Sequence, residues 1–124
     1  LHIQVSDVFS LESRLESVTY KLATETKAWF RPNFTLNTEA RAQLNSKMAL
    51  SASLNYRGQS FAKLVNQPVA IKGYLNMDLG TSYQVAKKWS AFVQAANLLD
   101  TKYQQYLYYN GFGRQIFGGI SYSF

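Results

Sequence analysis

One stretch of the sequence, residues 33–44, decides the fold; it reads NFTLNTEARAQL. Its odd-numbered residues are polar or charged, and its even-numbered residues are almost all apolar. Because successive side chains of a β-strand point to opposite faces of a sheet, this alternation predicts a strand with one wet face and one apolar face. Pro32 stands just before the strand, where its missing amide proton does least harm.

The same alternation continues on the C-terminal side of this stretch. It predicts strands at 48–57 and 74–85, a strand from Trp89 toward Tyr106, and a last strand at Gly113–Phe124. Tight turns are predicted at 45–47 and 86–88, and longer loops at 58–73 and 107–112. Aromatic residues cluster near the predicted strand ends. Short turns at one end, long loops at the other and aromatic girdles are all typical of outer-membrane barrels.

The pattern is weaker toward the N-terminus. Val18, Tyr20 and Leu22 predict a strand at about 15–24, and residues 11–16 fit either half a helix or a frayed strand. We therefore expect a poorly defined segment at 1–14 and barrel strands at 15–124. This gives six or seven strands, whereas a single-chain bacterial barrel needs an even number of at least eight. The 124 residues should therefore not close a barrel alone.

The composition favours a protein whose surface does not face water everywhere. Charged residues make up 16% of the chain, against about 25% in average soluble domains, and aromatic residues make up 15%. No run of 18 apolar residues occurs, so a transmembrane helix is excluded, but a transmembrane strand needs an apolar residue only at every second position. The net charge is +6. The basic residues are scattered along the chain, so we expect no nucleic-acid partner.

The sequence offers no catalytic or cofactor site. It contains no cysteine, and His2 is the only histidine. No Ser–His–Asp arrangement, phosphate loop or metal-ligand spacing can be assembled, so we expect neither an enzyme nor a bound cofactor. Glu39, Arg41 and Asp78 lie on the polar side of their strands, where we expect them to form interior ion pairs or to line a solute path.

Residues 89–103 resemble a known family. They read WSAFVQAANLLDTKY, which is similar to the penultimate region of TonB-dependent outer-membrane receptors. That family typically has Asn-Leu-Phe-Asp followed by a tyrosine. The corresponding residues here are Asn97, Leu98, Leu99, Asp100 and Tyr103, with Leu99 where the family usually has Phe.

The end of the chain resembles the same family. Phe117, Gly119, Tyr122 and Phe124 are similar to the C-terminal signal that the outer-membrane barrel assembly machinery reads. Tyr122 and Phe124 share one strand face and can lie against lipid, while Gly119 allows a close backbone approach on the other face. An ordinary edge strand with aromatic filling is the alternative.

The resemblance implies an all-β fold of antiparallel up-and-down transmembrane strands, forming the C-terminal part of a larger barrel. It also implies a location in the outer membrane of a Gram-negative bacterium and a role in solute uptake. The partners would be outer-membrane lipid, the barrel assembly machinery, and the remaining strands and plug of a longer receptor. Because soluble antiparallel sheets also alternate, a small soluble β protein that binds an apolar ligand or another protein remains the alternative.

Overall fold

The computed structural model describes residues 2–6, 8–65 and 67–124, and it describes residues 2–6 by their backbone alone. The described residues form strands and no helix. In chain order the strands are β1 (His2–Ser6), β2 (Phe9–Ser17), β3 (Phe34–Asn45), β4 (Met48–Arg57), β5 (Ser60–Lys63), β6 (Pro68–Ile71), β7 (Tyr74–Ala86), β8 (Trp89–Ala96), β9 (Gln104–Tyr106), β10 (Tyr109–Asn110) and β11 (Gln115–Tyr122).

Seven of these strands form one antiparallel sheet in the order β1-β2-β3-β4-β7-β8-β11. The strands keep their chain order across the sheet, with β5 and β6 inserted between β4 and β7 and with β9 and β10 inserted between β8 and β11. This is the up-and-down arrangement expected from the sequence. The strands β5 and β6 form a separate hairpin, and so do β9 and β10. The large sheet is open, because β1 and β11 occupy its two ends.

The connections at the two ends of the sheet differ in length, as predicted. At the turn end, Ser46-Lys47 joins β3 to β4 and Lys87-Lys88 joins β7 to β8. The Asn45 carboxamide oxygen accepts hydrogen bonds from the amides of Lys47 and Met48, both at 2.9 Å, and so closes the first of these turns. The opposite end, which we call the loop end, comprises residues 18–33, 58–73 and 97–114.

The strand register confirms the predicted division into two faces. Leu36 pairs with Tyr56 and Tyr56 with Leu75, whereas Glu39 pairs with Ser53 and Ser53 with Asp78. Because paired residues point to the same side, the apolar and the polar sets each form one continuous face. The apolar face carries Phe34, Leu36, Leu50, Leu54, Leu75, Met77, Leu79, Ile120 and Tyr122; the polar face carries Asn37, Glu39, Asn76, Asp78 and Gln84.

Several predicted bounds were wrong. The strand expected at about 15–24 is β2, which ends at Ser17, and the expected boundary between residues 14 and 15 lies within β2. The register shows why β2 includes residues before 15: Leu11 and Leu15 both lie on the apolar face of the sheet, and Glu12 and Arg14 lie on its polar face. The strand expected to reach Tyr106 ends at Ala96, because Asn97 adopts a positive φ of 49°. The last strand is also shorter than predicted.

The few buried residues lie at the loop end and not on either face of the seven-stranded sheet. Among the residues with described side chains they include Ser60, Ala62, Ile71 and Asn97. The apolar face itself is widely exposed: Ile116 and Ile120 are 72% and 74% exposed. The sheet therefore has no core of its own on this side, and the hairpin of β5 and β6 forms a small one outside it.

Candidate functional site

The three charged residues predicted for the barrel interior lie on the polar face, in two separate places. Arg41 donates to the Glu39 carboxylate from Nε at 2.9 Å and from Nη2 at 2.8 Å. This pair lies on one strand, and both side chains are well exposed. Asp78 has no basic partner among the described residues. It accepts hydrogen bonds from Ser53 Oγ and Asn76 Nδ2, both at 3.3 Å.

Asp78 is linked instead to the family-like motif. Its Oδ1 atom accepts a hydrogen bond of 2.8 Å from the backbone amide of Asn97. The amide of Leu98 donates to the Met77 carbonyl at 2.8 Å, so the chain leaving β8 is attached to β7 at two successive positions. The structure thus joins two groups of residues that the sequence analysis had treated separately. Spacing alone could not show this link, because Asp78 and Asn97 lie on different strands.

Asn97 is the centre of the loop from 97 to 114. It is 4% exposed. Its Nδ2 atom donates to the carbonyls of Thr101 at 3.1 Å and Phe112 at 3.0 Å, and its Oδ1 atom accepts from the Thr101 amide at 3.0 Å. Asparagine tolerates positive φ better than most residues, and its short amide can bond to the nearby backbone. The side chain therefore fixes both sides of the loop.

The other motif residues extend this arrangement. Asp100 also has a positive φ, of 50°, and its Oδ1 atom accepts from the Arg114 amide at 2.9 Å, next to the start of β11. The Tyr103 ring stacks on Tyr74 with a centroid distance of 4.3 Å. Leu99 is 49% exposed. Asn97, Asp100 and Tyr103 thus hold the loop between β8 and β11, and none of them points to a chemical reaction.

The C-terminal residues are divided between the two faces, as expected. Phe117 and Gly119 lie on the polar face, and Tyr122 lies on the apolar face. The Tyr122 ring contacts Trp89 at 4.8 Å and Phe124 at 5.5 Å between centroids. Phe124 is fully exposed. The barrel-assembly role of these residues stays a prediction.

Aromatic contacts mark both ends of the apolar face. At the loop end Phe34 and Tyr56 meet edge to face with a centroid distance of 5.8 Å. At the turn end the corresponding contacts are those of Tyr122. Two aromatic levels separated by aliphatic side chains correspond to the girdles of a membrane-spanning barrel.

A cluster of residues at the loop end surrounds the β5–β6 hairpin and was not predicted from the sequence. The Phe30 amide donates to the Phe61 carbonyl at 2.7 Å, and Arg57 Nη2 donates to the Phe30 carbonyl at 2.7 Å. These bonds hold Phe30 at a φ of 58°, which is unusual for an aromatic residue. Lys63 and Trp29 both donate hydrogen bonds to the Glu25 carboxylate. These bonds, of which the one from Lys63 has the larger effect, hold the pKa of Glu25 below its ordinary value. No alternation announces this cluster, because its strands are only four residues long.

Neither a metal-binding group nor a membrane-spanning helix occurs in the described parts of the chain. No group of three or more His, Cys, Asp or Glu residues that could hold a metal ion occurs there. Nor does any helix in these parts have the length and apolarity to cross a membrane.

Comparison with known proteins gives no match by sequence and clear matches by structure. No protein-family model and no curated protein matches the chain. The siderophore receptor PirA of Acinetobacter baumannii superposes with a TM-score of 0.86 at 15% identity, covering 99% of this chain and 21% of that one. The pyoverdine outer-membrane receptor FpvA of Pseudomonas aeruginosa gives 0.84 at 16% identity, with 97% and 20% covered. The ferric enterobactin receptor PfeA of Pseudomonas aeruginosa gives 0.80 at 20%, with 100% and 21% covered.

The chain thus spans about a fifth of the length of these receptors. Since nearly the whole chain superposes on part of each receptor, the comparison confirms the all-β antiparallel fold that the sequence predicted. The described chain has the fold of a segment of the barrel wall of TonB-dependent siderophore receptors.

Proposed function

We propose that this chain forms part of the wall of an outer-membrane transport barrel in a Gram-negative bacterium, with β11 as the closing strand. The observation that supports this most directly is the pair of continuous faces. The central strands β3, β4 and β7 have 12, 10 and 13 residues, enough for a tilted strand to cross a membrane, which takes about ten. Their apolar face would meet lipid, and their polar face, with Glu39, Arg41 and Asp78, would meet the interior.

The open edges of the sheet indicate which partners the wall needs. Both β1 and β11 end the sheet, so each would leave a row of backbone donors and acceptors unpaired. In lipid each unsatisfied group costs several kcal/mol, so an open sheet cannot persist there. The remaining strands of a longer receptor would pair with these edges, and a plug would fill the interior. The barrel assembly machinery would insert the wall by engaging Phe117, Gly119, Tyr122 and Phe124.

The finer proposal is TonB-dependent uptake of a ferric siderophore. It rests on the likeness to PirA, FpvA and PfeA, which are described as siderophore or ferric-siderophore receptors. The loop end would face the medium, and the turn end, with Lys47, Lys87 and Lys88, would face the periplasm. In this role the chain carries out no chemical reaction.

The test is made on the full-length gene product in its own cells. We expect the protein in the outer-membrane fraction, and we expect deletion of the gene to reduce growth when a ferric siderophore is the only iron source. Deletion of the energy-coupling gene tonB should reduce growth to the same extent. A protein that partitions into water without detergent would contradict the barrel and favour the alternative, a small soluble β protein. A protein in the outer membrane whose loss leaves growth on every siderophore unchanged would contradict only the solute.

A further inference from the structure

The positive charge of the chain is concentrated at the loop end. Of 13 basic and seven acidic residues, seven basic and two acidic ones lie in the segments 18–33, 58–73 and 97–114. The other six basic and five acidic residues nearly cancel. Almost all of the net charge of +6 therefore belongs to the loops.

Some of these cations already have partners. Lys63 is bound to Glu25 and lies 5.7 Å from the centre of the Trp29 ring. The Lys27 ammonium lies 4.4 Å from the centre of the Phe61 ring. By contrast, within residues 8–65 and 67–124 no carboxylate lies within 4.0 Å of Lys72 or Lys102. Both of these lysines are exposed.

Lys72 and Lys102 line one cleft of about 370 Å³ between the two small hairpins. Two carboxamides also line it, those of Gln104 and Asn110. Gln104 Nε2 donates to Asn110 Oδ1 at 2.9 Å, which turns the Asn110 amide nitrogen away from that bond and leaves it as a donor. Two lysines and two carboxamide residues therefore line the cleft, and its described lining contains no carboxylate.

The backbone on both sides of the cleft is held in place. Ile71, next to Lys72, is 4% exposed. Lys102 lies between Thr101, whose hydroxyl donates to the Leu75 carbonyl at 2.8 Å, and Tyr103, which stacks on Tyr74. Because the backbone that carries the two lysines is already ordered, its conformational entropy is not lost when a ligand arrives.

We propose that the cleft between Lys72 and Lys102 binds a multiply charged oxyanion, through its carboxylate or phosphate groups. The proposal rests on the proposed function, because the barrel orientation places this cleft on the outer side of the membrane. Two ammonium groups on flexible stems suit an anion whose charges are spread over several oxygens. The anion belongs either to a dissolved solute or to the phosphates of lipopolysaccharide.

The experiment uses the full-length receptor, purified in detergent, with citrate and inorganic pyrophosphate as the dissolved probes. The double variant Lys72→Gln with Lys102→Gln is compared with Lys47→Gln with Lys88→Gln, which removes the same charge at the turn end. Calorimetric titration at low salt should show binding about tenfold weaker in the first variant and little changed in the second, and binding by the unaltered receptor should weaken as salt rises. Co-purifying lipopolysaccharide is measured in the same samples.

The outcomes separate the two sources. Weaker binding of the dissolved probes in the cleft variant supports a solute anion, and a loss of lipopolysaccharide alone supports the lipid phosphate. If neither changes, or if the turn-end variant loses as much, the proposed cleft is wrong. That result leaves the proposed function intact as long as the receptor still reaches the outer membrane and supports growth on a siderophore, so the two failures are distinguishable.

Discussion

Asn97 supports more of the loop between β8 and β11 than any other motif residue does. Its side chain makes three hydrogen bonds to the backbone, and its φ is positive. Each bond contributes about 1 kcal/mol net, and a buried group left without its partner costs more. We expect Asn97→Ala to lower the free energy of unfolding of the full-length protein by about 3 kcal/mol, which would be observed as a lower temperature of unfolding in detergent.

Two further variants make this test specific. Asn110→Ala removes an exposed carboxamide with a single side-chain bond, so it should change stability by less than about 0.5 kcal/mol. Asn97→Gly restores the freedom to adopt positive φ but not the bonds, so its loss should lie between the other two. Equal stability of Asn97→Ala and Asn110→Ala would show that the motif does not hold the loop.

Glu25 gives the loop end a dependence on pH. The bonds from Lys63 and Trp29 lower its pKa from the ordinary value of 4.5. The folded loop is therefore more stable with Glu25 ionised than with Glu25 protonated. The stabilisation is therefore complete above about pH 4.5 and is lost as the pH falls through the lowered pKa. Amide protection in residues 18–33, the intrinsic exchange rate divided by the observed one, should decrease as the pH falls below 4.5, and Glu25→Gln should lower it already at pH 7. Unchanged protection in that variant would contradict the ion pair.

Among the elements, two glycines of β11 allow it to lie close to β8, and each of them lies near a different part of Phe92. A Cβ atom at Gly119 would lie 2.8 Å from the Phe92 ring, whereas one at Gly118 would lie 2.8 Å from the Phe92 carbonyl oxygen. A ring can swing aside, but a backbone carbonyl in a ladder cannot. We expect Gly118→Ala to reduce the folded fraction of the full-length protein in the outer membrane strongly and Gly119→Ala to reduce it only slightly, as measured by its heat-modifiable migration.

The partner variant Phe92→Ala distinguishes the two positions. It should rescue Gly119→Ala, because it removes the atoms in the way, and it should not rescue Gly118→Ala. Rescue of both glycine variants, or of neither, would mean that the packing of Phe92 on Gly119 does not set the fit of β11.

The elements also define the orientation of the proposed barrel across the membrane. Residue 110 lies at the loop end and residue 87 at the turn end. In intact cells, a membrane-impermeant thiol reagent should therefore label a cysteine introduced at Asn110 and spare one introduced at Lys87. Labelling of both after the outer membrane is permeabilised serves as the control, and the reverse pattern in intact cells would invert the proposed orientation.

The sequence predicted the long strands well and the short ones poorly, for one physical reason. In β3, β4 and β7 each residue faces either the apolar or the polar side, so the alternation is visible over ten or more residues. In the β5–β6 hairpin, Ser60, Ala62 and Ile71 are buried, but each strand has only four residues, too few for an alternation to be recognised in the sequence. The end of β8 was also missed, because Asn97 is held at its positive φ by hydrogen bonds with Asp78, Thr101 and Phe112.

At the scale of the whole molecule, the open sheet predicts the behaviour of the isolated chain. Its seven strands leave two edges and an exposed apolar face. In water such a surface pairs or clusters with other copies. We expect the 124-residue chain refolded without detergent to elute from size-exclusion chromatography as aggregates. A monodisperse, water-soluble monomer would overturn both the open sheet and the proposed membrane wall; the full-length receptor in detergent is the matched control.

The small core at the loop end makes this part of the protein transplantable. Ser60, Ala62 and Ile71 are buried, and β5 and β6, which carry them, form a sheet of their own apart from the seven-stranded one. A protein engineer would therefore exchange residues 58–73 between barrels together with residues 18–33, because Glu25 and Phe30 bond to the hairpin. The hairpin would be joined at Arg57 and Tyr74, which are paired across β4 and β7. The seven-stranded sheet would then stay unchanged while the surface at the loop end is exchanged.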